Sequence, residues 1–157
     1  MKHEPFLSPE ENNENRSFVH YLIGIEMAFS IFIYEYYATY SVNSRIGHKR
    51  VLHRHRAIIL SILDRLAECV YDDSFSEVSL GALADGNSMV ESFKSTKGRG
   101  DNIELLCNVN MAILQCLEKQ SNEDIDAGVK ALFVEIINEH QRIALDLLAL
   151  KRLDDLR

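Results

Sequence analysis

The stretch 17-SFVHYLIGIEMAFSIFIYEYYATY-40 decides the fold. Its apolar residues recur three and four apart, the spacing of a helix rather than a strand. At about 100° per residue, Leu22, Val19, Phe29, Ile33 and Tyr37 share one face, and Glu26 stands in the middle of it. Two later helices repeat that pattern. His140 projects with Val129, Phe133, Ile136 and Leu147, while Asn110 falls between Ile103, Leu106, Leu114 and Leu117. A buried carboxylate is costly unless paired, because an apolar interior cannot replace its hydration. These three polar groups therefore satisfy one another, or they bind something.

Working outward, both prolines lie within the first nine residues, so nothing after Pro9 forces a helix to break. Ser8-Pro9-Glu10-Glu11 is a helix-start signal: a capping serine, proline in the first turn, then acids favoured by the dipole. Residues 1–16 read as a polar tail or helix extension, and 17–157 as one helical domain. Asn43-Ser44 supplies a turn and cap for a second helix over 45–71, which Asp72-Asp73-Ser74 ends. The stretch 74–102 is rich in Ser, Gly, Asp and Asn, and predicts two short helices, 77–84 and 88–95. The Lys97-Gly98-Arg99-Gly100 loop follows. Asp101 with Glu104, and Ser121 with Asp124, make capping boxes that start helices over 101–119 and 121–153. The expected fold is all-α: an antiparallel four-helix bundle whose longer crossover, between the second and third long helices, carries short helices. With the first and last long helices antiparallel, Glu26, Asn110 and His140 fall in one layer.

A chain of 157 residues, 46% hydrophobic and 26% charged, is one globular domain with room for a real core. Its net charge of −7 and pI near 5.3 argue against a general nucleic-acid binder. Cys69, Cys107 and Cys116 form no CxxC pair and read as reduced thiols of a cytoplasmic protein. The polar, acidic N-terminus is not a signal peptide. The apolar run from Phe18 to Val42 has membrane-span length, but His20, Glu26 and Glu35 interrupt it, so a buried helix is expected instead of a membrane span. The polar stripe of the first long helix is narrow: Ser17, His20, Gly24, Glu35 and Thr39, with Ala28 and Ile31 inside it. Its aromatic surface predicts a homodimer or a partner protein.

Two clusters carry candidate chemistry. Glu26, Asn110 and His140 are the candidate ligand-binding set, read either as a register-fixing hydrogen-bond network or as a ligand or metal site. The architecture resembles four-helix carboxylate proteins of the ferritin type, which place Glu-x-x-His on two helices. Here Ile137 precedes His140 by three and the second helix offers no Glu-x-x-His, so no di-iron centre is expected and no cofactor or metal is assigned. The second cluster is Arg45, His48, Lys49, Arg50, His53, Arg54, His55 and Arg56, a basic patch in an acidic protein. Arg45, Arg50, His53, Arg54 and Arg56 are its candidate partner- or anion-binding residues. His48 and His55 project toward the core, with Glu35 expected opposite His55. Four arginines near a helix N-terminus oppose its dipole and call for compensation. Arg50-x-x-x-x-His55 resembles the Arg-x4–6-His motif of HEPN-type helical ribonucleases, and that resemblance implies an RNA-processing alternative with Arg50 and His55 as catalytic residues. No other catalytic motif is present. The reading that follows is a non-enzymatic, cytoplasmic helical module that binds another protein as regulator, adaptor, chaperone or inhibitor. An RNA-processing domain and a ligand- or metal-sensing bundle are its alternatives.

Overall fold

The described residues form five helices: α1 (Asn13–Thr39), α2 (Ile46–Cys69), α3 (Phe75–Thr96), α4 (Asn102–Ser121) and α5 (Ala127–Asp155). The computed structural model describes residues 13–39, 46–69, 75–96, 102–123, 125 and 127–156, without the side chains of 13–17, 39, 75–80, 82, 94–96 and 102. Ser8–Glu11, Asn43-Ser44, Arg45, Asp72–Ser74, Lys97–Gly100, Asp101 and Asp124 lie outside the described residues. No strand occurs among the described residues.

Side-chain contacts give each helix its direction. Arg56 sits over the Tyr34 ring and Lys49 over the Tyr37 ring, so α1 and α2 run antiparallel. His48 meets Asp154, His55 meets Asp146, and Arg65 meets Glu135, so α2 and α5 also run antiparallel. Two antiparallel steps make α1 and α5 parallel. The core agrees: Phe18 packs edge-on against Phe133, and Glu26 meets His140 seven residues further along α5. This corrects the expectation that the first and last long helices are antiparallel. The polar layer survives because Glu26 and His140 each stand partway along their helices, at a common height.

That connectivity gives α3 its task. Once α2 has run down the molecule, α4 must also run down to turn back into α5, so the chain must first return to the top. A helix of this length spans about 33 Å, enough for that return. The two short crossover helices expected from sequence are therefore one continuous helix through Gly81 and Gly86. Gly86 is a poor helix former, but it is where α3 lies backbone-to-backbone on α1. A Cβ placed there would overlap the carbonyl oxygen of Gly24 and stand 2.8 Å from the Ile25 nitrogen. Ala28, one turn beyond Gly24, is also buried. The small residues of the narrow stripe on α1 thus form the seat of α3.

Most of the aromatic surface expected to need a second chain is accordingly covered within this one. Phe29, Phe32 and Tyr36 are buried, and Phe18, Tyr21 and Tyr37 are half-buried. Ile31 and Tyr34 remain exposed. The apolar stretch Phe18–Ala38 is long enough to cross a membrane, and most of it is buried inside the protein.

One boundary moves. The Ser121 hydroxyl donates back to the Glu118 carbonyl at 3.0 Å, so Ser121 ends α4 instead of capping the next helix. The amides of Asn122 and Glu123 close the turn on Lys119 and Gln120, and α5 starts at Ala127, not at 121.

Candidate functional site

Glu26 on α1, Asn110 on α4 and His140 on α5 converge, and all three are fully buried. Asn110 Nδ2 donates to the His140 backbone carbonyl at 3.0 Å, which orients the amide. Its Oδ1 then accepts from His140 Nδ1 at 2.7 Å, so Nδ1 carries a proton. On the other side of the ring, Nε2 lies 2.6 Å from Glu26 Oε1. One further proton lies between those two atoms. Whichever atom holds it, the pair has no net charge, which limits the cost of burying it. Phe29 stacks on the imidazole with ring centroids 6.2 Å apart. Both ring nitrogens are thus committed to protein partners, leaving Glu26 Oε2 as the one atom of the layer without a hydrogen bond. Among the described residues, no group of three or more His, Cys, Asp or Glu side chains is placed to hold a metal ion.

The basic cluster divides into two faces of α2. Toward α5, Arg54, His55, His48 and Arg65 each meet a carboxylate. Arg54 and His55 both meet Asp146 Oδ2, at 2.5 and 2.9 Å. His48 meets Asp154 at 3.1 Å and Arg65 meets Glu135 at 3.1 Å. The carboxylate facing His55 is therefore Asp146 and not Glu35. Burial pushes the His55 pKa down, the opposing pull of Asp146 being weaker, and Arg54 and His140 add to the lowering. A neutral ring donates from Nε2 to Asp146 and leaves Nδ1 as a lone pair without a partner. Burial alone pushes the Asp146 carboxyl up, but hydrogen bonds from His55 and Arg54 outweigh it and hold the pKa below its ordinary value.

Toward α1, the cations rest on tyrosines instead. Lys49 Nζ lies 5.3 Å from the centroid of Tyr37, and the Arg56 guanidinium 5.0 Å from that of Tyr34. The two tyrosine rings stack at 6.4 Å, and His53 tilts against Tyr37 at 6.4 Å. Arg50 is exposed beside them. An open cleft of about 330 Å³ is lined by Tyr37, Ile46, Lys49, Arg50 and His53. Among the described residues, none of Lys49, Arg50, His53 and Arg56 forms an ion pair with a carboxylate.

The structure does not bring Arg50 and His55 together. They lie about 140° apart around α2, Arg50 exposed and His55 buried against α5. Of the candidate partner residues, Arg50, His53 and Arg56 share the tyrosine face, and Arg54 belongs to the α5 seam. The sequence reading missed Asp146 and Asp154, although His48/His55 and Asp146/Asp154 each span about two helical turns, the spacing needed for one seam. It also missed that Tyr34 and Tyr37 seat the cations. Comparison with protein-family models, with curated proteins and with solved structures finds no match to this chain.

Proposed function

We propose that the protein is a non-enzymatic helical module that acts by binding another protein, and that the α1–α2 face is where it does so. One observation carries this reading: in a chain of net charge −7, the cations of that face meet no carboxylate among the described residues. Their counterparts on the α5 side are neutralised within the chain. Lys49 and Arg50 near the α2 N-terminus oppose its dipole. Lys49, His53 and Arg56 follow one another three or four apart, where like charges repel, and an anionic partner would offset that cost. The polar core layer supports the same reading, since every one of its side-chain polar atoms except Glu26 Oε2 is spent within the layer. We read α1, α2, α4 and α5 as an antiparallel four-helix bundle that holds the face rigid, with α3 as its return segment. That Cys69, Cys107 and Cys116 form no disulfide fits a reducing, cytoplasmic setting. For Cys69, burial pushes the thiol pKa up and so keeps it unreactive.

A photo-crosslinking side chain placed at Arg50, with Gln141 on the outer face of α5 as control, tests the assignment in cells. Protein adducts from position 50 that are missing from position 141 are expected. Adducts of doubled mass would identify a second copy as the partner, consistent with the exposed Ile31 and Tyr34. Nucleic-acid adducts at position 50, or equal labelling from both positions, would contradict the proposal.

A further inference from the structure

Resting on that reading, we infer that the α1–α2 face takes a short acidic, amphipathic segment of its partner, carboxylates on Lys49, Arg50 and Arg56 and an apolar side chain in the Tyr37–Ile46 cleft. The cations supply the first half of the argument. From Lys49 to Arg56 they run along about 10 Å of helix, and acids spaced a turn or two apart on a partner helix cover the same length. Their positions are fixed in advance, because Lys49 and Arg56 lie over tyrosine rings. A cation held that way loses less side-chain freedom when it meets a carboxylate.

The apolar neighbours supply the second half. Ile46 and Ile31 are exposed at 59% and 45%, and Tyr34 at 51%. Ile46 and Tyr34 border the cations, Ile31 stands one turn before Tyr34 on α1, and together they give a ligand with apolar side chains something to cover. A nucleic-acid strand fits this face less well. Single strands bind by stacking bases on open aromatic faces, and here Tyr34 and Tyr37 stack on each other and carry Arg56 and Lys49. The chain's net charge of −7 also opposes a polyanion wherever it leaves the patch.

The test uses two random pools as probes, a displayed library of short peptides and a pool of RNA. Each is selected against the intact protein and against its Lys49→Glu/Arg50→Glu variant. Arg50 is exposed, Lys49 is half-buried, and neither makes an ion pair among the described residues. Losing the Lys49–Tyr37 contact and placing acids near the α2 N-terminus act in opposite directions, so the variant should stay folded and melt close to the wild type. The expected outcome is enrichment of peptides with acids three or four apart beside leucine, isoleucine or phenylalanine. Their binding should weaken by about tenfold or more on the reversed variant, which corresponds to the loss of one good charge pair. Peptides without acids, peptides that bind the variant equally, or no enrichment at all would overturn the inference. The protein-binding reading would still stand if position 50 crosslinks to a protein in cells. RNA enrichment that the variant abolishes would overturn both.

Discussion

Glu26 and His140 share a proton across 2.6 Å in a layer closed to solvent. Removing one member strands the other. Glu26→Ala should cost about 3–5 kcal/mol, as for other broken buried pairs. Glu26→Leu with His140→Leu removes both desolvation penalties and should recover most of that loss. The deficit that remains should be about 1 kcal/mol, because Asn110 Oδ1 then lacks its donor. Urea denaturation midpoints across the single and double variants measure this, and a double variant no more stable than Glu26→Ala would show that the pair is not an isolated unit. On the α2–α5 seam, His55 makes stability depend on pH. Its folded pKa is lowered, so below about 6.5 the unfolded chain takes up the proton first and stability falls. The folded pKa of Asp146 is also lowered, so its contribution is present above about 3.8 and is lost as pH falls below that. Melting temperature should therefore decline from about pH 6.5 downward. His55→Gln should remove the upper part of that decline. An unchanged upper limb would place its source in another histidine.

At the scale of the element, the α1–α3 contact sets two glycines of one helix against each other. Alanine is the better helix former by about 1 kcal/mol, and at Gly81 a Cβ meets nothing within 4 Å. Gly81→Ala should therefore stabilise by about 0.5–1 kcal/mol. At Gly86 the added carbon runs into the backbone of Gly24 and Ile25, which cannot turn aside as a flexible side chain can. Overpacking of about 1–3 kcal/mol outweighs the gain in propensity, and Gly86→Ala should lower stability. Thermal melts of both variants check the pair, and a stabilising Gly86→Ala would mean that α3 does not seat on Gly24. This contact also marks where the sequence stopped being legible. Glu26, Asn110 and His140 could be read as one set because a polar residue on an apolar face stands out at helical period. The continuity of α3 could not, because local propensity penalises Gly86 and only its packing against another helix repays that. Misreading the crossover as two short pieces also removed the clue to the direction of α5. The partners of His48 and His55 were hidden for a related reason: periodicity says which way a side chain points, not which helix lies there.

Across the whole molecule, the polar groups divide by task. The interior set and the α2–α5 seam are consumed in holding helices together, while the cations seated on the α1 tyrosines form no ion pair with a carboxylate among the described residues and keep charge to spare for a partner. Fold and binding should therefore respond to different substitutions, and a thermal-shift titration reads both in one sample. The unliganded melting temperature reports the fold, and its rise with a selected acidic peptide reports binding. The account predicts that Glu26→Leu/His140→Leu changes the basal melting temperature and keeps the peptide-induced rise. It predicts that Lys49→Glu/Arg50→Glu stays close to the wild-type basal temperature and loses the rise. A rise lost in the core variant and kept in the surface variant would contradict it, and would move the binding site to the buried layer of Glu26, Asn110 and His140.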